Sequence, residues 1–487
     1  MDHPRPGCAM RLSVVMKDCT ICIKTVLLCF IAELFLNMLL ISFGKPVDWQ
    51  ASRLASLWIG KLVVRHYLFL LFLLMIPVMV ARINPGPRSN LWSDSEGYYQ
   101  YLPALIIIKD VHKLPPGSVW PYYNDKGEYV NKYTCGIAIF EFPFFMLAYY
   151  LCPPLGYTRS DYFNPLYCNI VALSGLLASF LGLFFLRKSL LKLVSPGVTF
   201  WVIVSVFFGT NLYYYATREM NIAHVYNFFL FSHLLYMIPG YLKKPGRLNS
   251  FLLGAVLGWI ILIRPTNIIV ALLIPLYDVY SLSDLKERIR FLIQHLRLML
   301  WMIPGAFLFF LPQLMYWKEM TGHWLYYSYT EEGFKYWNEP KIAAVLFDVQ
   351  NGLFLYSPLV LLMMAGIVLG LFKKNFQAPV VLLIFSIATY LFASWWAWWF
   401  GGAFGHRCYV EFYAILAFPL AGLYQHVSMR WHAIPRIAFF SVVIMLMIFS
   451  VRLSYLYTSI GGPWDGADWR WNLEKYEWVL AHFFPAT

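Results

Sequence analysis

LYCNIVALSGLLASFLGLFFLRKSLLK, residues 166–192, decides how this chain folds. From Leu166 to Leu186 it carries no charge, and Arg187, Lys188 and Lys192 follow directly. A helix of about 20 apolar residues crosses the roughly 30 Å hydrocarbon core of a bilayer. A basic cluster behind such a run marks the cytoplasmic end. Similar runs precede it at Thr25–Phe43, His66–Val80 and Tyr133–Leu151. Others follow at Val198–Ala216, Val225–Leu242, Ser250–Ile263, Asn267–Tyr280, Leu298–Tyr316, Leu353–Phe372, Val380–Ser394, Phe412–His426 and Ile437–Tyr457.

Composition agrees. Of 487 residues, 60% are hydrophobic and 19% aromatic, while only 13% are charged, about half the roughly 25% of a soluble domain. A water-soluble fold cannot hide so much apolar surface. The unbroken runs also exclude an outer-membrane barrel, whose strands alternate apolar and polar residues. The expectation is an all-α polytopic membrane protein.

The net charge of +13 comes from basic clusters between the runs and does not point to nucleic acid. Besides Arg187 and Lys188 there are Lys243, Lys244 and Arg247, then Lys286, Arg288, Arg290 and Arg297, then Lys373 and Lys374, then Arg430 and Arg436. With all of these on the cytoplasmic side, Asp94 and Trp464 face outward. This assignment fails if Tyr133–Leu151 crosses the bilayer. Glu141, Pro143, Pro153 and Pro154 suit a broken or interfacial helix there. Residues 84–163 are therefore expected to form one large outward loop, leaving about eleven spans, or twelve if Thr25–Phe43 also crosses. Residues 1–65 form an N-terminal extension and 66–487 the transmembrane domain, with no separate soluble domain. Cys19 and Cys22 make a C-x-x-C without a partner pair at zinc spacing.

The outward connections hold the ionisable residues. SNLWSDSEGYY places Asp94 and Glu96 just past the second run. In extended backbone both reach one pocket, one as general base on a hydroxyl and the other positioning it or holding a divalent cation. Lys132 precedes the Pro-containing segment, where it either contacts a lipid phosphate or snorkels. Arg218, Glu219 and His224 occupy one short turn. Arg218 and Glu219 read as a surface pair and His224 as an interfacial cap or a phosphate contact. Arg264 interrupts an apolar run and needs an anion. Asp348, Gln350, Asn351 and Gly352 begin another span, where an N-cap explains only one of them.

SWWAWWFGGAFGHRCYVEF is the richest stretch. Trp395–Trp399 read either as an interfacial belt or as platforms for sugar rings. The glycines allow close backbone approach to a ligand. Arg407 suits a phosphate or carboxylate, and Glu411 lies four residues on, within its reach on a helix. The outward acids are too few for every cation.

In these features the chain resembles the GT-C superfamily of membrane glycosyltransferases, in particular the protein O-mannosyltransferases and lipid A aminoarabinose transferases. The similarity rests on Asp94 and Glu96 after the span, the Pro-containing segment after Lys132 and the alternating topology, and it covers the chain from about residue 66. NGLFLYSP and WWFGGAFGHR look like segments of bacterial members. SDSEG departs from the usual acidic motif, so either acid is a candidate base. The resemblance implies transfer of a sugar from a polyprenyl-phosphate donor to a hydroxyl of a glycan, lipid or protein on the outer face of the plasma membrane. It implies inversion without a covalent intermediate. Arg264, Arg407, Lys132 and Arg218 would meet the leaving phosphate, and His224, Glu411, Trp395 and Trp399 would line the site. No cofactor is required, and a divalent cation is compatible with the carboxylates. The alternative is a transporter or flippase of lipid-linked sugars. That class usually carries polar groups inside its spans and shows repeated halves, and neither is evident.

Overall fold

The computed structural model describes residues 91–115, 123–124, 126–457 and 472–483, with most of 66–75. Thr25–Phe43, Cys19, Cys22 and Trp464 lie outside these residues, and so do residues 70, 74 and 76–80 of the His66–Val80 run. Two compact units are present. One comprises Met1–Ile83 with Trp431–Ser441, and the other Asn84–Arg430 with Val442–Thr487. The second holds every candidate site residue.

The described residues are helical, with one isolated β-bridge between Tyr123 and Tyr129. The principal helices are α1 (Asp94–Tyr99), α2 (Gly136–Leu151), α3 (Pro165–Leu190), α4 (Pro196–Phe208), α5 (Ala223–Lys243), α6 (Arg247–Ile263), α7 (Met302–Thr321), α8 (Val360–Lys373), α9 (Ala378–Ser394), α10 (Tyr413–Arg430) and α11 (Ala433–Tyr457). Among the described residues, three helices are long and apolar enough to cross a membrane: Pro165–Leu190, Leu296–Thr321 and Ala433–Tyr457. Others are apolar but shorter. Along α7, Ile303, Phe307, Leu308, Leu311 and Met315 are exposed, a surface suited to lipid contact rather than water.

Local sequence explains the helix ends. The Asn164 side chain accepts the Leu166 and Tyr167 amides at 3.0 and 3.1 Å. Pro165 takes the first turn, where its missing N–H costs nothing. Arg187 and Lys188 sit in the last turn, where cations complement the helix dipole. Helices α6 and α7 touch backbone to backbone because Gly254, Gly258 and Gly305 carry no side chain; a Cβ on any of them would overlap the facing helix. Small residues four apart are a recurrent solution for close helix pairs in membranes.

The Pro-containing segment is one helix, α2, rather than a broken one. Pro143 lies inside it without ending it. Glu141 points inward, is fully buried, and accepts from the Asn221 amide at 2.6 Å and the Tyr226 hydroxyl at 3.3 Å. A buried carboxyl needs such donors, and here they tie α2 to α5 and to the turn before it. At 16 residues, α2 is about 24 Å long.

The helices have a consistent polarity. α5 begins beside His224 and ends at Lys243; α6 begins at Arg247 and ends beside Arg264; α10 begins just after Glu411 and ends at Arg430. Candidate site residues occupy one end of these helices and basic clusters the other.

Candidate active site

Asp94 is the first residue of α1. The turn before it closes through Ser95, whose hydroxyl accepts from the Trp92 amide at 3.0 Å and donates to the Trp92 carbonyl at 2.7 Å. The 129–135 segment runs alongside. Asn131 donates to the Gly97 carbonyl at 2.7 Å, and the Tyr101 hydroxyl donates to the Tyr133 carbonyl at 2.5 Å. These bonds bring the Tyr133 hydroxyl to Asp94 Oδ1 at 2.6 Å. The Tyr133 ring lies where a Cβ on Gly97 would be, so this approach requires glycine.

The other Asp94 oxygen, Oδ2, meets Arg407 Nη2 at 2.9 Å. Arg407 opens a short 3-10 turn, Arg407–Tyr409. The loop before it is held rigidly. Phe400, Gly401 and Gly405 have φ of 54°, 75° and 64°. Asn351 donates to the Trp399 and Gly401 carbonyls at 2.8 and 3.1 Å. The Phe404 amide donates to the Tyr215 hydroxyl at 3.0 Å, and Asn211 donates to the Phe404 carbonyl at 3.0 Å. The polar residues after Asp348 are thus partly explained: the Asp348 side chain caps the Gln350 amide at 2.7 Å, and Asn351 anchors the glycine-rich loop. Burial pushes His406 down to about 3, with its neutral ring bonded to the Trp398 carbonyl.

A second cluster is joined to the first through the Arg407–Cys408 peptide. Glu411, fully buried, lies 2.8 Å from His224 Nδ1, accepts from Asn267 at 3.0 Å, and is 3.6 Å from Arg264. Arg264 also donates to the Cys408 sulfur at 3.2 Å. His224 Nδ1 stands 3.1 Å from Arg264 Nη1 as well, and one nitrogen cannot donate to Glu411 and accept from Arg264. With the proton on Nδ1 for the shorter contact, Nε2 accepts from Arg264 at 3.4 Å. Tyr98 and Tyr329 each feel the charges of Asp94, Arg264 and Arg407.

Lys132 pairs with Glu332 at 2.5 Å and lies over the Tyr329 ring at 4.9 Å. Tyr329 and Phe334 pack edge-on against Trp395 at 6.1 and 5.2 Å. An aromatic wall therefore runs from Tyr98 and Tyr133 to Trp395. Trp399 sits among Trp396 and Trp398 and presents its carbonyl to Asn351.

Several expectations change. Asp94 and Glu96 do not share a pocket, because their backbone is helical rather than extended and residues two apart point to opposite sides of a helix. Glu96 is buried toward Tyr129. Glu411 is not aligned with Arg407, because the 407–409 turn is 3-10 and α10 starts only at Tyr413. The acids are sufficient after all: Arg407 has Asp94, Arg264 has Glu411 and Lys132 has Glu332. Arg218 and Glu219 part company. Arg218 is exposed at the end of the short helix Leu212–Thr217, while Glu219 is buried and accepts the Tyr214 hydroxyl at 2.8 Å.

Electrostatics separates the two carboxyls near Arg407. Burial pushes Asp94 up, but the Arg407 guanidinium, the Tyr133 hydroxyl and Lys132 pull harder and leave it below its ordinary value. Burial raises Glu219 to about 7 against weaker opposing pulls from Tyr214 and Arg407. Asp94 is therefore ionised at neutral pH, whereas Glu219 titrates there. Among the described residues, no group of three or more His, Cys, Asp or Glu is placed to hold a metal ion.

Tyr133, Asn267, Cys408 and Glu332 did not stand out in the sequence. Tyr133 had one available signal, its place next to Lys132. Searches against family models, curated proteins and solved structures return no match to this chain.

Proposed function

We propose that the protein is an integral membrane glycosyltransferase that moves a sugar from a polyprenyl-phosphate donor to an acceptor hydroxyl on the outer face of the plasma membrane. The supporting observation is the meeting of Asp94 with Arg407, beside the Arg264–His224–Glu411 cluster. Five separate segments contribute an ionised carboxylate, two guanidiniums and an aromatic wall to one neighbourhood. In this reading the shorter apolar helices also cross, giving about eleven or twelve spans, and α2, about 24 Å long, lies at the outer interface.

The acceptor hydroxyl attacks the anomeric carbon, and the bond from that carbon to the phosphate oxygen breaks. The hydroxyl proton passes to Asp94, a general-base step worth roughly 10²- to 10⁴-fold. Charge growing on the leaving phosphate is met by Arg407 and Arg264, held in place before the reaction begins. The phosphate competes with Asp94 for Arg407. As Arg407 turns to the phosphate, burial dominates at Asp94 and makes it a stronger base. Single displacement inverts the anomeric centre. A divalent cation is not needed for these steps. Trp395 and Tyr329 offer ring faces to the sugar.

The test is to reconstitute the protein in proteoliposomes with a panel of radiolabelled polyprenyl-phosphate sugars and a membrane extract as acceptor. Release of polyprenyl phosphate with label appearing in the acceptor supports the reading. Movement of intact donor between leaflets without release would establish a flippase instead.

A further inference from the structure

At the opposite end of α8 and α10 from Asp94 lies a cleft of about 160 Å³. α10 begins just after Glu411 and has 18 residues, so its far end is about 27 Å away, close to the roughly 30 Å depth of a hydrocarbon core. Lys373, the last residue of α8, and His426 and Arg430, in the last turns of α10, line this cleft. No carboxylate does. The Lys373 ammonium donates to His426 Nδ1 at 2.7 Å, a bond to a neutral acceptor that leaves its charge uncompensated. In the active site each cation has a carboxylate; here two permanent cations share a concave surface with none.

The floor of the cleft is built rather than loose. Phe376, which lines it, and its neighbours Lys374 and Gln377 have φ of 52°, 52° and 59°, a conformation unfavourable for residues with side chains. Gln377 holds it by accepting the Asp278 amide at 2.8 Å and donating to the Asp278 carboxylate at 2.5 Å, while its own amide donates to the Tyr280 hydroxyl at 3.1 Å. The Phe376 ring closes against Gly422, where a Cβ would overlap it. Backbone held in such a conformation by surrounding bonds is found preferentially at ligand sites. One water needs roughly 10–15 Å³ of such space, so the cleft has room for a phosphate group.

We propose that this cleft binds a phosphate group, that of an anionic lipid headgroup in the leaflet opposite the active site. Basic pockets between membrane helices take such headgroups. Recognition of the anion needs only the cleft; the lipid as its source rests on the membrane-spanning reading.

The test uses the full chain purified in a neutral detergent, with binding followed by calorimetry. The probes are short-chain phosphatidylglycerol, inorganic phosphate and short-chain phosphatidylcholine. Lys373→Gln and Arg430→Gln, singly and together, are compared with the Lys373→Arg/Arg430→Lys pair. Both side chains are exposed, so unliganded melting temperature should not change. Saturable phosphatidylglycerol binding, weakened about tenfold or more in the double Gln variant as expected for lost bonds between charged groups and retained in the conservative pair, supports a lipid site. Equal binding of inorganic phosphate with the same loss supports the anion site with a soluble source. Binding unchanged by the Gln substitutions, equal affinity for phosphatidylcholine, or no binding of any probe overturns the proposal.

Discussion

Asp94 Oδ2 lies 2.9 Å from Arg407 Nη2 while its Oδ1 accepts the Tyr133 hydroxyl at 2.6 Å. The carboxylate is thus held at both oxygens, by a cation that can exchange partners and by a phenol fixed to the same segment as Lys132. This arrangement makes Asp94 rather than Glu96 the proposed base, and it defines what each neighbour should do.

Tyr133→Phe removes one bond to a charged group, worth about 1.5–3 kcal/mol. The expected outcome is a fall in kcat of about tenfold or more with little change in donor affinity, measured by single-turnover transfer. Gly97→Ala displaces the Tyr133 ring and should reproduce the same loss. A Tyr133→Phe variant with unchanged kcat would show that the bond is only structural.

Arg407→Ala should weaken donor affinity more than Arg407→Lys, which keeps the charge but loses the planar fork. It should also move the pH profile. Arg407 is the main influence holding Asp94 low, whereas burial raises it. Without the guanidinium the Asp94 pKa rises, so the acid limb of kcat/KM, which reports the free enzyme, shifts to higher pH. Arg407→Lys should shift it less. An acid limb that stays in place in Arg407→Ala would disconnect it from Asp94.

Glu219, raised to about 7 by burial, should act as a modulator of the donor phosphate. Above pH 7 it ionises and adds a negative charge near Arg407, while a phosphodiester donor keeps the same charge. Donor affinity should therefore fall as pH rises through 7 in the wild type and stay flat in Glu219→Gln. Equilibrium binding in nanodiscs across pH 6–8 distinguishes the two.

Much of this site was legible because ionisable residues are costly near lipid. Asp94, His224, Arg264, Arg407 and Glu411 stand out for that reason. Their pairing was not legible. Reading Asp94 and Glu96 as one pocket required extended backbone, and the helix at Asp94–Tyr99 separates them. Pairing Glu411 with Arg407 required an α-helix, and the 3-10 turn sends Glu411 to His224 and Arg264. Tyr133 is one of 34 tyrosines, and only folding brings it to Asp94. In the fold, the apolar runs predict helices, whereas Glu141 and the prolines suit a broken or interfacial helix, and α2 continues through Pro143 unbroken.

Orientation is testable at two exposed positions. Glu331 neighbours the Lys132–Glu332 pair, and Lys374 follows the far end of α8. An impermeant maleimide should label Glu331→Cys in intact cells and Lys374→Cys only after permeabilisation, each compared with the parent chain. The reverse pattern would put the site on the cytoplasmic face.

The most direct measurement compares wild type and Asp94→Asn in proteoliposomes, following donor binding and polyprenyl-phosphate release in the same samples. The account predicts that Asp94→Asn binds donor at least as well as wild type, because Arg407 loses its competing carboxylate, and releases polyprenyl phosphate about a hundredfold more slowly or worse. Equal release by the two proteins would contradict Asp94 as the base.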